Sequence, residues 1–260
     1  MDIMRIKIVT SGDRFLPNES AILIMNHRTR TDGLFLIKAM YQAVAPRVTS
    51  QRLKFIIKAT VRHIPFAGWL IQTAGNLFVR RNWKVDEDHL SRWLDYELAL
   101  NRRCQLVIFP EGTDLTLFTK WRSNKYAKSK GLPEYEYTLH PRSKGFTYLV
   151  RRLQQADYLD AIYDITIAYP DRVPQNELDI LRGKMPDEVH IHVKRTAQTD
   201  LPKDELVLRD WLEDCWTQKN RILKEFYANK KFSNETWPAA VCNRALLWIV
   251  ICFFIAITSK

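Results

Sequence analysis

The 260-residue chain has only four cysteines, Cys104, Cys215, Cys242 and Cys252, and none forms a C-x-x-C pair. That spacing excludes the common zinc sites and argues against a disulfide framework, so a reducing compartment is the simplest setting. Glycine-rich signatures are missing too. Without a G-x-S-x-G elbow a serine hydrolase of that kind is disfavoured. Without G-x-x-x-x-G-K-[ST] or G-x-G-x-x-G, so are a P-loop and a dinucleotide site. No apolar run reaches the ~20 residues of a full membrane span. The longest, Ala245 to Thr258, has fourteen residues without a charge. It is expected to be a half-span, a re-entrant segment or a span cut where the chain stops. Lys230, Lys231 and Arg244 before it favour a cytosolic side for what precedes. No signal peptide opens the chain: Met1 to Val9 alternates like an edge strand. Acidic residues are outnumbered, 29 against 40 basic, giving a net charge of +11. A basic balance suits an anionic partner: nucleic acid, a phosphorylated small molecule or an acidic membrane. No nucleic-acid-binding motif is present, so nucleic acid is not an expected partner. The eight tryptophans and twelve phenylalanines fit contact with an apolar phase, and equally a large aromatic core.

What is present alternates between strand and helix patterns. Short apolar runs bounded by polar breaks read as buried strands at Ala21–Met25, Gln105–Phe109, Ala161–Ala168 and Val189–Val193. Further strands are expected at Arg5–Val9 and Gly75–Val79, and Leu53–Lys58 suits strand or helix. Helices are expected at Asp32–Ala43, opened by Thr31 or Asp32 as N-cap, at Lys84–Arg103, Ser143–Gln154 and Leu201–Ala228. Phe66–Thr73 reads as a short buried or membrane-facing helix, and Lys120–Lys130 as a basic helix or loop. The alternation predicts an α/β fold, a sheet with helices on both faces. His190 and His192 would share one face of a strand, but with no third ligand in view they read as surface residues, and no metal site is expected.

Three of the strands end in polar clusters: Asn26–Asp32, Gly75–Arg81 and Pro110–Thr113. His27 sits at a strand's C-terminal end, and Asp32 is on the first turn of the next helix. Open α/β sheets place ligands at that edge. A carboxylate there accepts the Nδ1 proton and leaves Nε2 as a base near neutral pH. By itself this spacing fits a histidine beside a helix cap equally well. If the strands lie side by side, the inventory acquires a chemistry. His27 deprotonates an alcohol and Arg81 holds a phosphate. Glu111 accepts hydrogen bonds from a polyol, Gly112 permits close backbone approach and Thr113 offers a hydroxyl. Arg28 and Arg30 are secondary candidates for the phosphate, Lys58 for a basic rim with Lys54 and Arg62, and Asn26 and Gly75 belong to the clusters.

The motifs then converge on a resemblance. N-H-R-T-R-T-D (26–32), G-N-L-F-V-R-R (75–81) and F-P-E-G-T (109–113) resemble, in order and spacing, three motifs of the glycerolipid acyltransferase family. I-A-Y-P (167–170) falls where that family has a fourth, proline-containing strand end. F-P-E-G-T-D-L-T (109–116), L-H-P-R-S-K-G-F (139–146) and D-I-T-I-A-Y-P (164–170) resemble its lysocardiolipin and lysophosphatidylinositol acyltransferase branch. Asp114 stands where many members have arginine or serine, and it fits that branch. The resemblance implies a single mixed sheet flanked by helices, with a catalytic domain over residues 1–230. Residues 231–260 would be a linker and an apolar, truncated membrane segment. It implies acyl transfer from acyl-CoA, a co-substrate with no further cofactor, to a lysophospholipid hydroxyl. His27 and Asp32 would be catalytic; Gly75, Arg81, Glu111, Gly112 and Thr113 would bind substrate. Backbone N–H groups near the start of the Asp32 helix would stabilise the thioester oxyanion. It further implies an endoplasmic reticulum membrane with acidic lipids as the setting. The family usually has membrane helices before its first motif, and here about 25 residues precede it, so a shortened form or fragment is expected. The competing reading is an impaired homologue that binds membranes without turnover.

Overall fold

In the computed structural model, residues 6–44, 53–174 and 184–237 are described, apart from 17, 66 and 234. The seven strands are β1 (Lys7–Gly12), β2 (Ala21–Met25), β3 (Leu53–Lys58), β4 (Leu77–Val79), β5 (Gln105–Ile108), β6 (Ala161–Ala168) and β7 (Glu188–Ala197). The helices are α1 (Asp32–Val44), α2 (Ala67–Thr73), α3 (Trp83–Ala99), α4 (Leu117–Lys130), α5 (Ser143–Gln155) and α6 (Glu205–Asn229). The strands form one sheet in the order β1-β7-β6-β2-β5-β3-β4. β6, β2, β5, β3 and β4 run parallel; β7 is antiparallel to β6, and β1 is parallel to β7. The sheet is therefore mixed, as expected, and β1 is its edge.

β2 shows why the central runs are uniformly apolar. Side chains alternate across a strand, and both faces of this sheet are covered. Leu23 and Met25 pack beneath Phe35, Leu36, Ala39 and Met40 of α1. Ile22 and Ile24 face the other layer, where Leu90 and Leu94 of α3, Phe146 and Val150 of α5, and Leu208 and Trp216 of α6 meet. These four of the five β2 side chains are fully buried, and each such burial stabilises the fold by about 1.5–3 kcal/mol.

Several expectations need correction. α6 starts at Glu205 rather than near Leu201, because Asp204 caps it, accepting from the amides of Leu206 and Val207 at 2.9 and 3.1 Å. Of the two readings of α2 the buried one does not hold, since Trp69 is 61% and Leu70 44% exposed. The histidine pair on β7 does share a face, but it is not a surface pair. His190 is buried against Phe226 and Phe232 with Nε2 2.7 Å from Glu188, and His192 meets Ser11 at 3.2 Å. α6 and Phe232 roof that face, and burial lowers the pKa of both rings. The chain also stays packed past residue 230: Trp237 pairs with β1 through its amide to Thr10 (2.7 Å) and its indole to Gly12 (2.8 Å). No helix among the described residues is long and apolar enough to cross a membrane. The apolar run 245–258 lies outside the described residues.

Candidate active site at the carboxyl edge of the sheet

Five parallel strands bring their carboxyl ends to one edge, which gathers the loops of the polar clusters. His27 follows β2, Pro110–Thr113 follow β5, Tyr169 follows β6 and Arg80–Arg81 follow β4. β2 lies between β5 and β6, so His27 has the Glu-Gly-Thr loop on one side and Tyr169 on the other. β4 is three strands away, roughly 14 Å at the usual strand spacing. Gly75 precedes β4 and so lies at the opposite, amino edge. Its positive φ (71°) closes a turn after α2, and an added Cβ would meet Lys54 at 2.8 Å. Its expected place in the substrate site is therefore not what the structure shows. Lys58 is exposed at the end of β3, two strands from β2.

The centre of the site is a buried carboxylate. Asp32 is fully buried. Its Oδ2 accepts from His27 Nδ1 at 3.0 Å and from the backbone amides of Arg28 and Thr29 at 2.7 and 2.9 Å. Its Oδ1 accepts from the Tyr169 hydroxyl at 2.6 Å. Four donors compensate the desolvation of one charge. The side chain turns back into the loop, so Asp32 does not serve as a helix cap. Burial and the Asp32 charge hold the Tyr169 phenol well above its ordinary pKa, so its O–H stays a donor. His27 is held from both sides: Nδ1 by Asp32, and its ring by Phe109, centroid to centroid 4.4 Å. Its side chain is 16% exposed. The opposite nitrogen, Nε2, makes no hydrogen bond among the described residues and is available as a base.

Asn26 and Arg28 shape this loop instead of lining it. Asn26 is buried and clamps β6, donating from Nδ2 to the Ile167 carbonyl (3.1 Å) and accepting from the Ile167 amide (2.8 Å). Its amide is thus used up by backbone. Arg28 donates to the Leu115 carbonyl (3.1 Å), while the Leu115 amide donates to the His27 carbonyl (2.8 Å). These bonds tie the histidine loop to the segment after β5. Arg30 is exposed. The amides of Arg28, Thr29, Thr31, Asp32 and Leu34 all donate within the loop, so they do not supply the expected oxyanion donor.

Arg81 is exposed and adopts a left-handed backbone (φ 63°). The cause is Asp86 on the first turn of α3, which accepts from the amides of Arg80 (2.8 Å) and Asn82 (2.9 Å) on either side. Such a conformation costs on the order of 1–3 kcal/mol. Burial and the neighbouring Arg142 lower the Arg81 pKa, with Asp114 opposing. The guanidinium still carries its charge. Arg142 is absent from the candidates above, although it lies in L-H-P-R-S-K-G-F. Its amide donates to Pro110 (2.8 Å), and its guanidinium lies 3.4 Å from where a Gly112 Cβ would sit. Gly112 has φ 72°, so it serves both the turn and the close approach. Thr113 donates to Asp114 at 3.2 Å. Neither Arg81 nor Arg142 has an ion pair within 4 Å among the described residues. Both guanidinium groups border the Gly112–Asp114 loop, a chemistry suited to a phosphate.

Glu111 departs most from expectation. It is 3% exposed and points into the core under the loop, away from any polyol. Trp216 of α6 donates to its Oε1 at 3.1 Å, and Oε2 has no hydrogen-bond partner. Burial pushes the carboxyl up to about 8, with the Trp216 bond, the backbone amides of Leu139 and His27 and the Lys219 charge pulling the other way. Lys219 itself is occupied by Asp164 and the Ile165 carbonyl (2.7 Å). Glu111 therefore joins the loop to α6. Trp216 and Tyr169 carry their signals in sequence only as an apolar helix position and as the I-A-Y-P strand end.

Comparison with known proteins shows the family. Residues 7–170 match the family model described as Acyltransferase, and residues 179–254 match Acyltransferase C-terminus. The chain is 40% identical over 248 residues to Lysocardiolipin acyltransferase 1 of Mus musculus, covering 95% of this chain and 65% of that protein. It is 35% identical over 237 residues to Lysophosphatidylinositol acyltransferase 10 of Caenorhabditis elegans (91% and 60%). It is 28% identical over 235 residues to 1-acyl-sn-glycerol-3-phosphate acyltransferase 2 of Brassica napus (89% and 58%). The chain thus spans less than two thirds of the length of these relatives.

Proposed function

Because the chain belongs to the glycerolipid acyltransferase family, we propose that it moves a fatty acyl group from acyl-CoA onto a free lysophospholipid hydroxyl. The acceptor is of the lysocardiolipin, lysophosphatidylinositol or lysophosphatidic acid class, as the relatives' names indicate. The carrying observation is the His27 ring, fixed through Nδ1 to a four-donor Asp32 and open at Nε2. Nε2 takes the hydroxyl proton as the oxygen attacks the thioester carbonyl. A carbon–oxygen bond forms, the carbon–sulfur bond breaks, and the imidazolium returns its proton to the departing thiolate. Asp32 stabilises the imidazolium. The nucleophile arrives with the substrate, so no covalent enzyme intermediate is invoked. Arg81 and Arg142 hold the acceptor phosphate, Gly112 and Thr113 border the glycerol, and Glu111 supports their loop from beneath. The proposed setting is the cytosolic face of the endoplasmic reticulum membrane. Replacing His27 by alanine should lower turnover ~10²–10⁴-fold with circular dichroism and thermal unfolding unchanged. Ordinary turnover by that variant would refute the mechanism, whereas an inactive parent chain beside an active form extended at both ends would favour the non-catalytic homologue.

A further inference from the structure

α4 lies largely off the body of the protein. Among its fourteen residues only Ala127 is buried. Its inner face is attached by polar bonds: Asn124 exchanges hydrogen bonds with the Tyr135 backbone at 3.1 and 3.2 Å, and Ser123 accepts from the His140 amide at 2.9 Å. The outer face carries Leu117, 90% exposed, Phe118, 65%, and Trp121, 59%. Three adjacent large apolar side chains left in water form a patch of the kind that marks an interaction surface. The helix has five basic residues, Lys120, Arg122, Lys125, Lys128 and Lys130, and no acidic one. Two cations lie over the rings themselves: Arg122 is 5.9 Å from the Phe118 centroid, and Lys125 is 5.2 Å from that of Trp121.

We propose that α4 is an interfacial helix that docks the carboxyl edge of the sheet onto an anionic lipid bilayer. Charge complementarity identifies the occupant as anionic, and the apolar residues identify it as a bilayer. A polyphosphate backbone rewards the five cations and gives nothing to an exposed leucine. At a lipid surface the rings and Leu117 enter the acyl boundary while lysine and arginine stems reach back to the headgroups. The helix begins two residues after Leu115, whose backbone bonds to both His27 and Arg28. Docking through its amino end therefore sets the open nitrogen of His27 at the level of the interface, where a lysophospholipid presents its headgroup hydroxyl. The inference deepens the acyl-transfer reading and draws on it only for that last step.

The test is vesicle co-sedimentation of the full chain on phosphatidylcholine alone and on phosphatidylcholine with phosphatidylserine. Each cation near the surface contributes about fivefold to binding, so R122Q/K125Q/K128Q should lower partition onto the anionic vesicles on the order of a hundredfold. F118A/W121A should weaken binding to both vesicles by roughly tenfold or more. Both variants should turn over monomeric, water-dispersed lysophospholipid as the parent does, and the His27→Ala variant should bind vesicles as the parent does. An apolar anchor elsewhere in the chain would raise binding to both vesicles without restoring the anionic preference. An anionic preference retained by the triple variant overturns the proposal, and so does retention on a single-stranded oligonucleotide in place of vesicles. Failure of acyl transfer alone, with the vesicle results as stated, refutes the catalytic reading and leaves docking standing.

Discussion

Glu111→Gln separates a buried support from a substrate ligand. Two carboxyl groups near the site are both buried, and their surroundings differ. Asp32 has four close donors, whereas Glu111 has Trp216 at 3.1 Å, the weaker approach of the Leu139 and His27 amides, and an Oε2 without a close partner. Burial accordingly pushes Glu111 up from 4.5 to about 8. At 1.36 kcal/mol per unit this amounts to roughly 5 kcal/mol as an upper bound. The sign follows from linkage. Between pH 4.5 and 8 the folded state keeps a proton that the unfolded chain has released. Stability from this group is fully present below 4.5 and is lost as the pH rises to about 8, by at most about 1.4 kcal/mol per pH unit. Glutamine keeps the Oε1 acceptor for Trp216 and has nothing to titrate. Relative to the parent, Glu111→Gln should therefore gain stability steadily from pH 5 to 8, and turnover should change little. Urea unfolding followed by tryptophan fluorescence at each pH, parent against variant, measures that difference. A difference constant across the range would refute a carboxyl whose burial outweighs its hydrogen bonds.

Removing the Tyr169 hydroxyl by Tyr169→Phe takes one donor from the Asp32 charge, a bond of about 1.5–3 kcal/mol. Turnover should fall tenfold or more with both KM values nearly unchanged; unaltered kcat would remove Tyr169 from the positioning of His27. Arg142→Ala and Arg81→Ala should each raise KM for a phosphate-bearing acceptor about tenfold, from loss of a charge-assisted bond, and leave KM for acyl-CoA in place. Equal effects on the two substrates would refute the paired anion site.

The His27–Asp32 contact was legible because it is local. Five residues of separation, a strand end and a helix start suffice to bring His27 and Asp32 together. What the neighbours do was not. Asn26 stands in the same motif, but its amide continues the β2–β6 ladder, and nothing within residues 20–32 indicates that Ile167 will lie opposite. Gly75 and Arg81 share one motif, yet a three-residue strand carries the chain from the amino edge to the carboxyl edge between them. Glu111 reads as a ligand because it follows a strand end. Whether its carboxyl points outward or under the loop depends on Trp216, over a hundred residues later. α2 is apolar along its length, which reads as buried or membrane-facing, and among the described residues Trp69 and Leu70 are left exposed.

The sequence by itself determined the strand and helix alternation, the buried central strands, the basic balance and the His27–Asp32 pair, since each rests on side-chain periodicity or short spacing. Only the tertiary structure decided the remainder: Tyr169 as the fourth donor to Asp32, Arg142 beside Arg81, Glu111 beneath its loop and the outward face of α4. These depend on strand order, which brings residues distant in the chain to one edge. The physical reason is that local pattern sets which face of an element is apolar, whereas the hydrogen bonds and charges of a site form between elements. Their partners are known only once the sheet has assembled.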